Sequence, residues 1–232
     1  METNHLINLQ AVYKHFPMGR GMFTALSDVN LNVEKGEFAG LVGPSGSGKT
    51  TLLNIIGSLD NPSRGDAIVL GESIKNLNAK ESARLRKTHL GFIFQSFNLL
   101  PVYTVFENVE FPLLLLDIDS GKRRKMVNDA LEWVGLTSKM KSKPSMLSGG
   151  ECQRVAIARS MVKRPKLVLA DEPTANLDAE NSHNILQTMI QLNKELNTTF
   201  LFATHDEKVI KYLRRIIHLK DGKVTTDEII QN

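Results

Sequence analysis

Apolar and polar residues alternate along Val29-Asn-Leu-Asn-Val33, the pattern of a strand with one buried face. Lys35-Gly36 turns the chain, and Phe38 to Val42 is a nearly continuous apolar run, as in a strand covered on both faces. A glycine-rich loop follows, and residues 49–57 predict a helix. Asn61-Pro-Ser-Arg-Gly65 predicts a turn and Leu90 to Phe94 another strand.

From about residue 96 to residue 163 the pattern becomes helical. Within it, Ser120 is the expected N-cap and Gly135 the expected stop of the helix that carries Trp133. Strand and helix then alternate again. Leu167 to Ala170 predicts a buried strand, Ala179 to Leu196 a helix and Thr199 to Ala203 a strand. Ile216 to Leu219, the Asp221-Gly222 turn and the residues from Val224 onward predict a hairpin. A strand–helix core interrupted by a helical insert implies a mostly parallel sheet with helices on both faces, hence an α/β fold. The expected organisation is a single domain over 1–232, with a helical subdomain at about 96–163 set into a core of 1–95 and 164–232.

Composition fits a packed domain: 41% of residues are hydrophobic and 23% charged. No apolar run approaches the ~20 residues of a spanning helix, and none near the start resembles a signal peptide. Cys152 is the single cysteine, so no internal disulfide forms, which fits a reducing compartment. The net charge of +4 is mild. Basic clusters at Arg84, Arg86 and Lys87, at Lys122 to Lys125, and at Lys211, Arg214 and Arg215 read first as solvated helix faces. A sharper reading is contact with anionic lipid or acidic partner loops. No cluster is interleaved with stacking aromatics, so no nucleic-acid partner is expected.

The chemistry begins at Gly43-Pro44-Ser45-Gly46-Ser47-Gly48-Lys49-Thr50, a complete G-x-x-x-x-G-K-[ST] phosphate loop. Its glycines let the backbone wrap phosphate oxygens, and the following helix N-terminus adds positive potential. Lys49 suits the β- and γ-phosphates and Thr50 a Mg²⁺ ion, with Thr51 beside them. Leu167-Val-Leu-Ala-Asp171 is an apolar strand that ends in a carboxylate, followed at once by Glu172. Asp171 suits a contact to Mg²⁺ through water. Glu172 suits the base for a water that attacks the γ-phosphate. The plain alternative, an acidic turn that caps a buried strand, loses force beside the phosphate loop.

Leu147-Ser148-Gly149-Gly150-Glu151 completes the pattern. With the phosphate loop, Gln95, Asp171-Glu172 and His205, the chain resembles an ABC ATPase over nearly its whole length. The resemblance implies a P-loop NTPase core with a mixed, mostly parallel sheet, an N-terminal antiparallel β region and the family's helical insert. It implies ATP and Mg²⁺, and a homodimer in which each signature segment faces the other chain's phosphate loop. It further implies Gln95 as the glutamine that touches Mg²⁺ and reports to a membrane partner, Asp178 as the aspartate that crosses the dimer interface, and His205 at the γ-phosphate. Phe16 matches the adenine-stacking position better than Tyr13. The other histidines keep a structural reading. Two residues depart from the commoner pattern: Glu151 stands where Gln is usual, and Phe16 where Tyr is usual. The departure at Glu151 places a negative charge near the partner chain's nucleotide.

Phe94-Gln-Ser-Phe-Asn-Leu-Leu-Pro101, Thr104 and Glu107-Asn-Val-Glu110 resemble the lipoprotein-release, macrolide-export and cell-division group of that family. The chain shows no long regulatory domain after the hairpin and no glutamate-glycine-rich loop before the signature, which fits that group. The expected function is ATP binding and hydrolysis that powers a separate membrane permease subunit at the cytoplasmic face of the inner membrane. The alternative is a cell-division-type ATPase that regulates a cell-wall enzyme without transport. The part-exposed segment from Phe97 to Tyr103, with Leu99 and Leu100, is the expected contact with the permease; the alternative is that Leu99 and Leu100 fill the insert's own core.

Overall fold

The computed structural model describes residues 5–19 and 21–230. Strands β1 (His5–Met18) and β2 (Gly21–Glu34) pair antiparallel. Along the second half of β2 buried Val29, Leu31 and Val33 alternate with exposed neighbours, as the sequence pattern requires. After β3 (Phe38–Val42), two further strands, β4 (Arg64–Val69) and β5 (Glu72–Ser73), complete an antiparallel sheet in the order β2-β1-β4-β5.

β3 is buried at every position and lies inside the second sheet. The other strands of that sheet are β6 (Leu90–Ile93), β7 (Leu167–Asp171), β8 (Thr199–Thr204), β9 (Arg215–Lys220) and β10 (Lys223–Ile229). Their order is β10-β9-β3-β8-β7-β6, and every pairing is parallel except the β9–β10 hairpin. The expected mixed, mostly parallel sheet and N-terminal antiparallel region are therefore both present. The hairpin turns on Asp221 and Gly222, both with positive φ (48° and 74°), the geometry that matches strand twist.

Seven helices complete the described fold: α1 (Lys49–Ile56), α2 (Ala79–His89), α3 (Val105–Leu114), α4 (Ser120–Trp133), α5 (Gly149–Met161), α6 (Ala179–Leu196) and α7 (Glu207–Ile210). α3, α4 and α5 fall between β6 and β7 in the chain, where the helical insert was expected. They bury Val109, Leu113, Val127, Leu131, Val155 and Ile157 in one apolar cluster that continues to Phe200 and Phe202 of the parallel sheet. A second cluster joins Ile7, Leu9 and Val12 of β1 to Leu52, Ile55 and Ile56 of α1 and to Leu41 of β3. It locks the helix that begins at the phosphate loop between the two sheets.

The α4 cap and the basic clusters need correction. Ser120 does not cap α4: Asp119 does, accepting from the backbone N–H of Gly121 (2.9 Å) and Lys122 (3.2 Å). An aspartate caps as well as a serine, and its charge suits a helix N-terminus. Arg215 is not on a solvated face, since it pairs with Glu37 (2.9 Å) and Asp227 (2.7 Å). Arg123 likewise pairs with Glu110 (3.1 Å), and Arg86 donates to the Ser58 carbonyl. Leu99 packs against the helical cluster, and Leu100, partly buried, exchanges hydrogen bonds with the side chain of buried Asn108. Leu99 thus follows the alternative reading in part, while both leucines remain part-exposed as the contact reading expects.

Candidate functional site

The buried strand β3 delivers Gly43 to the edge of the parallel sheet, where its N–H donates to the Thr204 carbonyl (3.3 Å). A Cβ on Gly43 would lie 2.0 Å from the Leu219 carbonyl oxygen, so only glycine fits against the end of β9. Gly48, with φ +103°, makes the turn into α1. The loop is braced from the far end of the chain: Gly222 N–H donates to the Ser47 carbonyl (3.0 Å), and the Gly222 carbonyl accepts from Ser27 N–H (2.9 Å). Pro44, Ser45 and Gly46 are exposed. Lys49 is buried and folds back on its own loop, donating to the carbonyls of Gly43 (2.7 Å) and Pro44 (2.9 Å). Burial pushes its pKa down, opposed by the nearby charges of Glu172 and Asp171. The buried Ser47 hydroxyl has no hydrogen-bond partner among the described residues. A loop with an ammonium, a helix start and an unused hydroxyl is a fit for phosphate oxygens.

β7 ends beside this loop. Thr50 Oγ1 donates to Asp171 Oδ2 (3.0 Å), so the two expected Mg²⁺ contacts already face each other. Burial raises the Asp171 pKa, and the hydrogen bond from Thr50 works against that rise. Glu172 follows with a left-handed backbone (φ +45°), and its N–H donates to the Ala203 carbonyl (2.9 Å). This conformation is uncommon outside glycine. Here it coincides with a carboxylate held at both oxygens. Thr204 Oγ1 donates to Glu172 Oε2 (2.9 Å), and His205 Nδ1 lies 2.5 Å from Oε1. Lys49, Thr50, Asp171, Glu172 and His205 thus converge at the C-terminal ends of β3, β7 and β8, where open α/β sheets place their ligands. Thr204, which the sequence did not single out, belongs with them. The available signal was its place as the last residue of a buried strand, next to His205.

The remaining expected residues lie around this centre. Gln95 is exposed just beyond β6, and its carbonyl accepts from Asn176 Nδ2 (2.9 Å), which ties it to the segment that follows Glu172. Asp178 caps α6, accepting from the N–H of Asn181 (2.8 Å) and its side-chain amide (2.7 Å), bonds that hold its pKa low. Ser148 caps α5: its hydroxyl accepts from Glu151 N–H (3.2 Å), and its N–H donates to Glu151 Oε2 (2.8 Å). The Glu151 carboxylate also pairs with Lys139 (3.4 Å), so its charge is engaged within its own chain. The closest neighbours of Gly149 and Gly150 are Asn176, Leu177, Asn181 and Phe97. Those of Gly43 and Gly48 are residues of β2 and β9 and Ser47. The signature segment and the phosphate loop of one chain therefore have different surroundings. Phe16 is exposed on β1 and pairs with Phe23 of β2.

A family model described as "ABC transporter" matches residues 26–175. The uncharacterized ABC transporter ATP-binding protein MJ0796 of Methanocaldococcus jannaschii is 42% identical over 227 residues, covering 96% of this chain and 97% of that one. The lipoprotein-releasing system ATP-binding protein LolD of Francisella tularensis is 43% identical over 220 residues, covering 94% of this chain and 95% of that one. A solved dimeric structure of the cassette MJ0796 in a post-hydrolysis state with ADP and Pi covers 97% of this chain and 99% of that one, with a TM-score of 0.90 and 41% identity. Agreement of sequence and fold along the whole chain places it in the ABC transporter family, as one of the family's ATP-binding and ATP-hydrolysing cassettes.

Proposed function

We propose that two copies of this chain close around ATP, and that hydrolysis at the shared sites drives a separate integral membrane permease subunit. The observation that carries this reading is the hydrogen-bonded set that joins Thr50 to Asp171 and Glu172 to Thr204 and His205 across three strand ends. Lys49 neutralises the β- and γ-phosphates once it leaves the carbonyls of its own loop. Glu172, held by Thr204 and His205, orients and deprotonates the attacking water, and His205 contacts the γ-phosphate. Thr50, Asp171 through water, and Gln95 hold Mg²⁺. That ion, when bound, offsets the charge that develops on the β- and γ-oxygens. Phe16 stacks on the adenine.

Ser148, Gly149 and Gly150 open a second helix N-terminus suited to an anion, away from the neighbours of the phosphate loop. In this reading they complete the site of the other copy, with Asp178 at the interface. The name of LolD, a lipoprotein-releasing system ATP-binding protein, supports a permease partner of that group, and in this reading the chain works at the cytoplasmic face of the membrane. Among the described residues no helix is long and apolar enough to cross a membrane. Exposed Val102 and Tyr103 of the expected segment, with Phe111, Leu114 and Leu115, extend the proposed contact with the permease beyond Leu99 and Leu100.

Replacing Glu172 by Gln tests the chemistry. ATP binding should persist while turnover falls by roughly 10²–10⁴-fold. A Glu172→Gln chain that hydrolyses ATP at near the original rate would sink the assignment.

A further inference from the structure

The assignment of Phe16 as the base platform leaves open how an exposed ring on a hairpin is held at a fixed angle. The register of the hairpin offers a frame. Lys14 pairs with Leu26, and Leu26 lies against Gly48 of the phosphate loop. Phe16 pairs with Phe23, a few residues further along the same two strands. A strand rises roughly 3.3 Å per residue, so Phe16 stands about 7 Å along β1 beyond the residue that pairs with Leu26.

Lys14 has only 12% of its side chain exposed. Its ammonium is 2.5 Å from Asp60 Oδ1, donates to the Asn61 carbonyl (2.8 Å) and sits over the Phe16 ring, 5.0 Å from the centroid. The turn that supplies these partners is itself fixed to β1. Ser63 N–H donates to the Tyr13 carbonyl (2.8 Å), and the Ser63 hydroxyl accepts from His15 N–H (3.0 Å). The turn also hangs from the end of α1 through Leu59 and Asp60 N–H groups on the Asn54 carbonyl. A cation with two fixed partners therefore covers one face of a ring that remains 37% exposed. Where the family commonly has a tyrosine, the phenylalanine here has no hydroxyl through which it could be anchored, and the cation–π contact can take that part.

We propose that Lys14 is a positioning residue for nucleotide recognition: it closes one face of Phe16, fixes the ring's tilt, and leaves the opposite face for the adenine of ATP. This rests on the reading of Phe16 as the base platform. The test measures calorimetric affinity for Mg·ATP and for inorganic tripolyphosphate, which has no base, with all variants built on the Glu172→Gln chain to prevent turnover.

Phe16→Ala should weaken ATP roughly 5- to 100-fold, the range of lost base stacking. Lys14→Met should weaken ATP roughly 2- to 5-fold and leave tripolyphosphate unchanged. Lys14→Arg should restore ATP affinity. In a Phe16→Ala chain, Lys14→Met should have no further effect. Asp60→Asn, which frees the ammonium without removing it, should give an intermediate loss and serves as the test if Lys14→Met does not fold. If Phe16→Ala leaves ATP affinity intact, the base-platform reading fails and this inference with it. If Phe16→Ala weakens ATP but Lys14→Met only lowers the melting temperature, or weakens tripolyphosphate equally, the positioning role alone is overturned.

Discussion

Thr204 shows how one hydroxyl can serve fold and chemistry together. It is fully buried, donates to Glu172 Oε2 and accepts from Asp206 N–H (3.0 Å), so it fixes both the carboxylate and the start of α7. Thr204→Val keeps the shape and removes the donor. Turnover should fall about tenfold, because a hydrogen bond to a charged group contributes about 1.5–3 kcal/mol. The KM for ATP should hardly move, and steady-state kinetics with a melting curve checks both. The sequence revealed Asp171 and Glu172 because a carboxylate pair at the end of an apolar strand is a local pattern. It could mark the place of Thr204 beside His205 but not the partners of Thr204 or Lys14, which lie 32 and 46 residues away. Pairing over such separations is a property of the folded chain, and no local spacing encodes it. The return of Glu151 onto its own helix start was available in the Ser148-x-x-Glu151 spacing of a capping box.

Among the elements, those with a strong apolar pattern were legible and α2 was not. α2 buries only Leu85 and otherwise presents charge, so no stripe marks it. Its capping box, Asn78 with Glu81, was the one local sign of a start. The far end of α2 is held by α5: Lys163, just beyond Met161, donates to the carbonyls of Arg86 (2.6 Å) and Lys87 (2.9 Å). The same helix grips the loop after Gln95, where Arg159 donates to the carbonyls of Phe97 (2.7 Å) and Asn98 (2.5 Å). Those two residues are both left-handed, with φ of 60° and 50°. Burial brings Lys163 down from 10.5 to about 8. Between these values the unfolded chain holds more protons than the folded one, so stability rises with pH across that window. Below pH 8 both states are charged and the burial cost is present in full. The stability of the native chain relative to Lys163→Met should therefore increase from pH 8 to 10 by up to about 3 kcal/mol, at about 1.4 kcal/mol per pH unit. Denaturant titrations at several pH values measure that difference, and a flat difference would reject it.

For the whole molecule, one phosphate loop and one signature per chain imply that a working site takes two chains. A Lys49→Ala chain and a Ser148→Arg chain should each be inactive alone. Mixed, they should regain turnover, because a heterodimer holds one intact loop opposite one intact signature. Failure to recover activity would mean that each chain works by itself. The strand order has a different kind of consequence. β3 lies between β8 and β9, and the turn after β9 supports the loop that β3 begins. During synthesis Val42 emerges roughly 180 residues before Lys220, which at 5–20 residues per second is a delay of about 10–35 s. For most of that interval the phosphate loop hangs from an apolar strand with neither neighbour in place, since β8 ends only at Thr204. A nascent chain therefore cannot use cellular ATP to stabilise its own folding until nearly the last strand has left the ribosome, and its buried strands depend on chaperones or on speed until then.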